Sequence, residues 1–194
     1  MHIIGGIYKG KQIPFTNSRY DNADITSQMV KEAVFDILSR RIRGSSFLDL
    51  FSCSGQIGFE ALSRGASFVL MNERDQKRVS FIRKMKKELA LGSECEVVSF
   101  DSERTLRLCA SEQKRFDIIY LDPPYHKAHG TAPIYGELVE RIDGLLLLND
   151  DGCIVVQHFI HNNLPEEICS FVRTDSRRYG QNALTFYSKK DNLE

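Results

Sequence analysis

Short apolar runs alternate with amphipathic stretches along most of the chain. Strand-like segments at Phe47–Phe51, Phe68–Met71, Cys95–Phe100, Phe116–Leu121 and Cys153–Phe159 are separated by Ile57–Arg64, Gln76–Leu91, Glu103–Ser111 and Pro133–Leu147, whose patterning is helical. This rhythm predicts an α/β fold with a mostly parallel sheet covered on both faces, and it puts ligands in the loops at the carboxyl ends of the strands. Upstream, Thr26 or Ser27 can cap a helix running to about Arg43, with Val30, Ala33, Val34, Ile37 and Leu38 on one face. Residues 1–20 read as a short β-hairpin or extended arm, in which Ile3, Ile4, Ile7 and Tyr8 precede Gly10 and Gln12-Ile13-Pro14-Phe15 follows. The expected division is an arm over residues 1–22 and one domain over 23–194. Near the end, Ile168–Arg173 and Ala183–Tyr187, separated by a polar turn around Tyr179-Gly180-Gln181-Asn182, predict a terminal antiparallel pair.

Length and composition fit one domain: 194 residues, 42% apolar and 27% charged, allow a substantial core. No stretch approaches the roughly 20 apolar residues of a membrane-spanning helix. The first residues lack the basic, apolar and small-residue regions of a secretory signal, so a cytoplasmic protein is expected. The cysteines, Cys53, Cys95, Cys109, Cys153 and Cys169, are odd in number and form no C-x-x-C pair, which reads as reduced thiols. All but Cys53 lie in or beside apolar segments, where cysteine behaves as a small hydrophobe. His126/His129 and His158/His161 are each three apart but have no third ligand nearby in a recognisable motif, and no metal is expected.

A formal net charge of zero argues against generic, charge-driven nucleic-acid binding. Local distribution softens that: Lys9, Lys11 and Arg19 occur in the first twenty residues without an acid. Arg74–Lys87 is also strongly basic, and reads as the solvated face of a helix.

The first candidate chemistry is the segment from Phe47 to Gly58, which runs from a strand through Phe51-Ser52-Cys53-Ser54-Gly55 into a helix. Small residues let a ligand approach the backbone closely. The segment does not fit the G-x-G-x-x-G dinucleotide fingerprint, because Gly55 and Gly58 alone are present and the acid Asp49 ends the strand. Glu73 follows the next strand, where a doubly wound fold puts a carboxylate against ribose hydroxyls. Asp101 ends the third strand, as an acceptor for an adenine amino group or as the cap of the following helix.

The strongest signal is the apolar strand Phe116–Leu121 ending in Asp122-Pro123-Pro124-Tyr125. Two prolines hold the loop rigid and cannot continue the strand. An exocyclic amine conjugated to a base is a poor nucleophile. Acceptors at the Asp122 carboxylate and the Pro123 carbonyl could take its two N–H groups and aim the lone pair at a sulfonium methyl, with Tyr125 stacked on the base.

With these motifs the chain resembles the amino-methyltransferases, and over nearly its full length it resembles the RsmD family of 16S rRNA guanine-N2 methyltransferases. Ile3-Ile4-Gly5-Gly6 with Lys9-Gly10-Lys11, Val30–Leu38, Glu60–Ala66 and Arg178-Tyr179-Gly180 with Leu184 and Tyr187 carry the resemblance further. It implies a Rossmann-like S-adenosylmethionine-dependent methyltransferase fold: a seven-stranded, mostly parallel sheet with an antiparallel C-terminal strand and an N-terminal β-hairpin extension. It also implies S-adenosylmethionine as cofactor and a substrate presented in the small ribosomal subunit or its assembly precursor. The expected cofactor contacts are Asp49, Phe51, Ser52, Cys53, Gly55, Glu73, Arg74, Asp101, Ser102 and Asp122. Asp122, Pro123, Pro124 and Tyr125 would carry the reaction; Tyr125, Lys9 and Lys11 would contact substrate, and the protein would act as a monomer. Departures from the family pattern are Cys53 for a glycine, Asp24-Ile25-Thr26 for Arg-Pro-Thr, His2 for an arginine and Gln157 for an acid. Two other functions compete: adenine-N6 methylation of DNA on a flipped base, and an RNA-binding relative without catalysis.

Overall fold

Runs of Val, Ile, Leu and Phe without polar alternation form strands buried on both faces, and the amphipathic stretches between them form the covering helices. The computed structural model describes residues 1–16, 20, 26–124 and 133–190. The chain divides into two compact units, Met1–Ser102 and Glu103–Glu194.

The first unit contains α1 (Gln28–Ile37), β1 (Ser46–Asp49), α2 (Gln56–Ser63), β2 (Phe68–Asn72), α3 (Gln76–Glu88) and β3 (Cys95–Val98). Its strands are all parallel in the order β3-β2-β1, with Phe47 opposite Val69 and Leu70 opposite Glu96. The parallel register aligns the carboxyl ends of all three strands, so the loops after Asp49, Asn72 and Val98 open on one edge. Ser27 caps α1 by accepting the Val30 N–H at 3.3 Å. That helix stops at Ile37, short of the expected Arg43, and tightens into a 3-10 turn over Leu38–Arg40. Gly44, at φ +79, then turns the chain toward β1. Asp75 caps α3, and Lys86 and Lys87 in its last turn complement the helix dipole. Val79, Phe81, Ile82 and Met85 face the core, so the basic run is the solvated side of this helix, as expected.

The arm closes on itself through Ile3 N–H to the Lys11 carbonyl, Gly10 N–H to the Ile3 carbonyl and Ile13 N–H to the Met1 carbonyl. Pairing is confined to one antiparallel bridge, His2 with Gln12, while Ile3 and Ile13 are fully buried.

The second unit contains α4 (Ser102–Ser111, which begins at the boundary), β4 (Phe116–Leu121), α5 (Pro133–Gly144), β5 (Leu148–Phe159), β6 (Glu167–Ile168), β7 (Phe171–Tyr179) and β8 (Asn182–Lys189). Its strand order is β4-β5-β8-β7-β6: β4 and β5 are parallel and the remaining pairs antiparallel. The described residues thus form eight strands where seven were expected, and the three C-terminal strands are joined through three antiparallel pairs, with both β8 and β6 running against β5, rather than one strand doing so. The difference lies at Ile168–Arg173, expected as one strand. Cys169, at φ +50, breaks it into β6 and the start of β7. Cys169 is consequently exposed, unlike Cys95, Cys109 and Cys153, which are buried as small hydrophobes. Likewise Leu146, at φ +55, closes α5 at Gly144, before the expected Leu147. Among the described residues no helix is long and apolar enough to cross a membrane.

Candidate active site

Two groups of predicted site residues emerge, one in each unit. In the first, β1 delivers Asp49 to the base of the small-residue loop. Asp49 is 1% exposed, and its Oδ2 accepts the Gly58 N–H at 3.2 Å, closing the loop onto the first turn of α2. Ser52 binds back, its Oγ donating to the Asp49 carbonyl at 2.9 Å and its N–H to the Asn72 carbonyl at 2.9 Å. Gly55 caps α2 at φ +73, and a Cβ there would lie 2.8 Å from the Phe59 ring. Cys53 sits at φ +50, a conformation that costs a side-chain-bearing residue about 1 kcal/mol.

Glu73 holds that conformation. Its Oε2 accepts the Cys53 N–H at 2.9 Å and its Oε1 accepts the Asp75 N–H at 2.8 Å, so one carboxylate braces both the loop after β1 and the turn into α3. Arg78 lies 4.0 Å away. Burial pushes the Glu73 carboxyl above its ordinary range, opposed by the two backbone N–H groups and Arg78. Arg74 is exposed, Phe51 half-buried, Asp101 exposed, and Ser102 begins α4.

The sequence reading missed two residues here. Asn72 donates from Nδ2 to the Leu50 carbonyl at 3.0 Å and accepts the Phe100 N–H at 3.2 Å, tying together the chain leaving all three strands. Ser54 is 1% exposed, and its Oγ has no hydrogen-bond partner among the described residues. A buried hydroxyl without a partner, in a loop that small residues keep open to close backbone approach, fits a polar ligand such as an S-adenosylmethionine amino acid or ribose group.

In the second unit, β4 carries the chain to Asp122, which is half-buried, then to buried Pro123 and exposed Pro124. Tyr125 lies outside the described residues, as do His126, His129, Arg19, Asp24 and Ile25. Next to the turn at Asp122 stands a cluster that sequence reasoning also missed. Tyr135, in the first turn of α5, is 2% exposed and accepts from Asn162 Nδ2 at 3.4 Å, while Asn162 Oδ1 has no partner among the described residues. Burial, with the Asp122 charge as a lesser cause, pushes the Tyr135 phenol up to about 12, so it stays neutral. The His158 ring packs edge-on against Tyr135 at 5.8 Å. Nδ1 of His158 meets the Phe159 carbonyl at 3.0 Å and Nε2 meets Thr185 Oγ1 at 2.9 Å. A carbonyl can only accept, so the proton sits on Nδ1, and neutral Nε2 accepts from the threonine hydroxyl. Both ring nitrogens are therefore engaged, and His158 lies on a strand rather than on a helix with His161. Gln157 is buried on β5 and accepts from the Tyr120 hydroxyl at 2.6 Å. A neutral amide there avoids burying a charge.

A family model described as conserved hypothetical protein 95 matches residues 1–188. YlbH of Bacillus subtilis (strain 168) is 34% identical over 98% of this chain and all of its own length. The ribosomal RNA small subunit methyltransferase D of Haemophilus influenzae is 37% identical over 65% of this chain and 64% of its own. The chain belongs to the RsmD family. A solved structure from Thermus thermophilus superposes with a TM-score of 0.80 at 29% identity, covering 97% of this chain and 99% of that one. RsmD family membership accounts for the full-length pattern, from the glycines of the arm to Arg178-Tyr179-Gly180, where Gly180 at φ +61 turns β7 into β8.

Proposed function

We propose that this protein transfers a methyl group from S-adenosylmethionine to the exocyclic N2 of a guanine in the 16S rRNA of the small ribosomal subunit. Support comes from membership of a family whose relatives are named ribosomal RNA small subunit methyltransferase D. The observation that carries the reading is Asp122-Pro123-Pro124 at the end of a strand whose residues from Ile118 to Leu121 are all buried. Such a turn is rigid before substrate arrives, and rigidity is what aligning a weak nucleophile requires.

The cofactor supplies an electrophilic methyl on a sulfonium. Asp49, Ser52, Cys53, Ser54 and Gly55 would hold it on the first unit, with Glu73 offering its remaining lone pairs to ribose hydroxyls and Asp101–Ser102 facing the adenine. The Asp122 carboxylate and the Pro123 carbonyl would each accept one N–H of the guanine amine. Both acceptors strengthen their hydrogen bonds as nitrogen gains positive charge, which favours the transition state over the ground state. As the N–C bond forms and the methyl–sulfur bond breaks, leaving a neutral thioether, the Asp122 carboxylate would take one amine proton and pass it to solvent, so that the product amine is neutral. Tyr125 would stack on the base, while Lys9 and Lys11 on an arm spanning residues 1–22 bind phosphates beside a methyltransferase domain over 23–194. The protein is a cytoplasmic monomer acting on the assembled subunit or its precursor.

Labelled cofactor incubated with under-modified small subunits, with the RNA extracted from them and with DNA tests this. Label on 16S RNA is expected. Label on DNA adenine alone would replace the proposal, and cofactor-independent RNA binding with no transfer to any substrate would leave a binding protein.

A further inference from the structure

Glu60, in the second turn of α2, is fully buried, and its carboxylate meets four donors. The Ile4 N–H lies 2.9 Å from Oε2, the Gly5 N–H 2.8 Å from Oε1 and Arg64 Nε 2.8 Å from Oε1. The fourth is Lys31 Nζ, 3.5 Å from Oε2. Lys31 comes from α1, is 1% exposed, and donates to the His2 carbonyl at 2.7 Å. Burial pushes the Lys31 ammonium below its usual range, and Glu60 pushes it back up. One turn further along α2, Ser63 Oγ donates to the Gly5 carbonyl at 2.5 Å and accepts the Tyr8 N–H at 2.9 Å, while the Ser63 carbonyl accepts the Ile7 N–H at 2.8 Å.

Gly5 and Gly6 leave room for this contact. A Cβ on Gly5 would lie 2.7 Å from Arg64 Cζ. One on Gly6, whose φ is +74, would lie 1.7 Å from the Ser63 carbonyl oxygen. The arm is therefore clamped along residues 2–8 to two helices of the first unit, not tethered to it. From the clamped backbone of Ile7 onward the tip faces outward: the Ile7 side chain is 80% exposed, and Lys9, Gly10 and Lys11 are exposed.

A buried ion network contributes little net stability compared with an apolar packing of the same volume, but it demands one geometry. That geometry fixes an apolar side chain and two ammonium groups on a short rigid tip. Such a tip suits the phosphodiester backbone of a folded RNA, because ordering it on contact costs nothing further. We propose that Lys31, Glu60 and Arg64 are positioning residues that hold residues 7–11 as a preformed RNA-docking tip. The idea rests on the proposed RNA substrate. It adds that docking strength is set from inside the protein, by groups that never touch RNA.

The test uses the full chain, 16S RNA from under-modified small subunits, and five proteins: wild type, Lys31→Met, Gly6→Ala, Lys9→Ala/Lys11→Ala and the triple variant Lys9→Ala/Lys11→Ala/Lys31→Met. Lys31→Met removes the buried ammonium, and Gly6→Ala dislodges the arm without touching a charge. Each should weaken RNA binding about tenfold at low salt and flatten the dependence of log Kd on log salt by about 2, matching the double lysine variant. Amide exchange at Ile4 and Gly5 should quicken in both, and cofactor affinity by calorimetry should hold. Adding Lys31→Met to the double lysine variant should cost less than a further twofold. The inference is overturned if both arm variants bind RNA like wild type while the lysine variant is weakened, if the losses multiply, or if affinity falls without faster exchange. An unweakened lysine variant would instead remove the underlying reading that the arm meets RNA.

Discussion

Replacing Glu73 by alanine perturbs the cofactor loop more than a surface-like position after a strand would suggest. The carboxylate receives the N–H of Cys53 and of Asp75 at 2.9 and 2.8 Å. Hydrogen bonds to a charged group contribute about 1.5–3 kcal/mol each. Two opposing effects reduce the net: water can reach a residue that is 8% exposed, and removing a carboxylate returns the cost of burying it. That burial cost is visible in the raised pKa of Glu73. The expected loss of folding stability in Glu73→Ala is therefore about 1–2 kcal/mol. Cofactor binding should fall further, at least tenfold or about 1.4 kcal/mol, because the loop loses its brace at strained Cys53 and the ribose loses an acceptor. Glu73→Gln keeps one acceptor oxygen without the buried charge, and should lie between wild type and alanine in affinity while melting closer to wild type. Urea unfolding and calorimetric titration with S-adenosylmethionine measure both quantities. Wild-type affinity in Glu73→Ala, or a glutamine variant as damaged as alanine, would refute the bracing role.

Further expectations concern the loop, the reaction motif and the second core. Asp122→Ala should abolish turnover with cofactor affinity within about threefold of wild type, since its carboxylate acts on the amine; single-turnover kinetics beside calorimetry separate the two. Cys53→Gly should leave stability within about 0.5 kcal/mol, strain relief offsetting chain entropy, whereas β-branched Cys53→Val at φ +50 should lose about 1–2 kcal/mol in urea melts. His158 has its pKa lowered by burial first and by Arg173, against the Phe159 carbonyl. The unfolded chain therefore binds a proton more readily than the folded one. The stability from neutral His158 is fully present above about pH 6.5 and is lost as pH falls from there toward the lowered value. Melting temperatures between about pH 7.5 and 5.5 should fall in wild type and flatten in His158→Gln; an equal slope in both would exclude His158 as the cause.

The βα alternation was legible because strands buried on both faces and one-sided helices each leave a periodic mark; β4 spans Phe116–Leu121 as expected, and α2 is shifted by one residue to Gln56–Ser63. Legibility ended where single residues with φ near +50, Cys169 and Leu146, cut an element short: nothing in a cysteine or leucine announces a left-handed turn. The chemistry divided in the same way. Asp49, Glu73 and Asp122 could be singled out as candidates because each ends or directly follows a strand beside a recognisable motif. Asn72 reads from sequence as no more than the end of a strand, and its value lies in joining Leu50 to Phe100. Tyr135 and Asn162 are 27 residues apart and meet only through the fold. Glu60 is a similar case, since its partners in the arm lie 55 and 56 residues away and no local pattern encodes such a contact.

Methylation at guanine N2 is tested most directly by mass spectrometry of 16S rRNA nucleosides from a strain lacking this protein, complemented with wild type or with Asp122→Ala. One N2-methylguanosine should be missing in the deletion strain, return with wild type and stay missing with Asp122→Ala. An unchanged set of modified nucleosides in the deletion strain, or restoration by Asp122→Ala, would contradict the assignment.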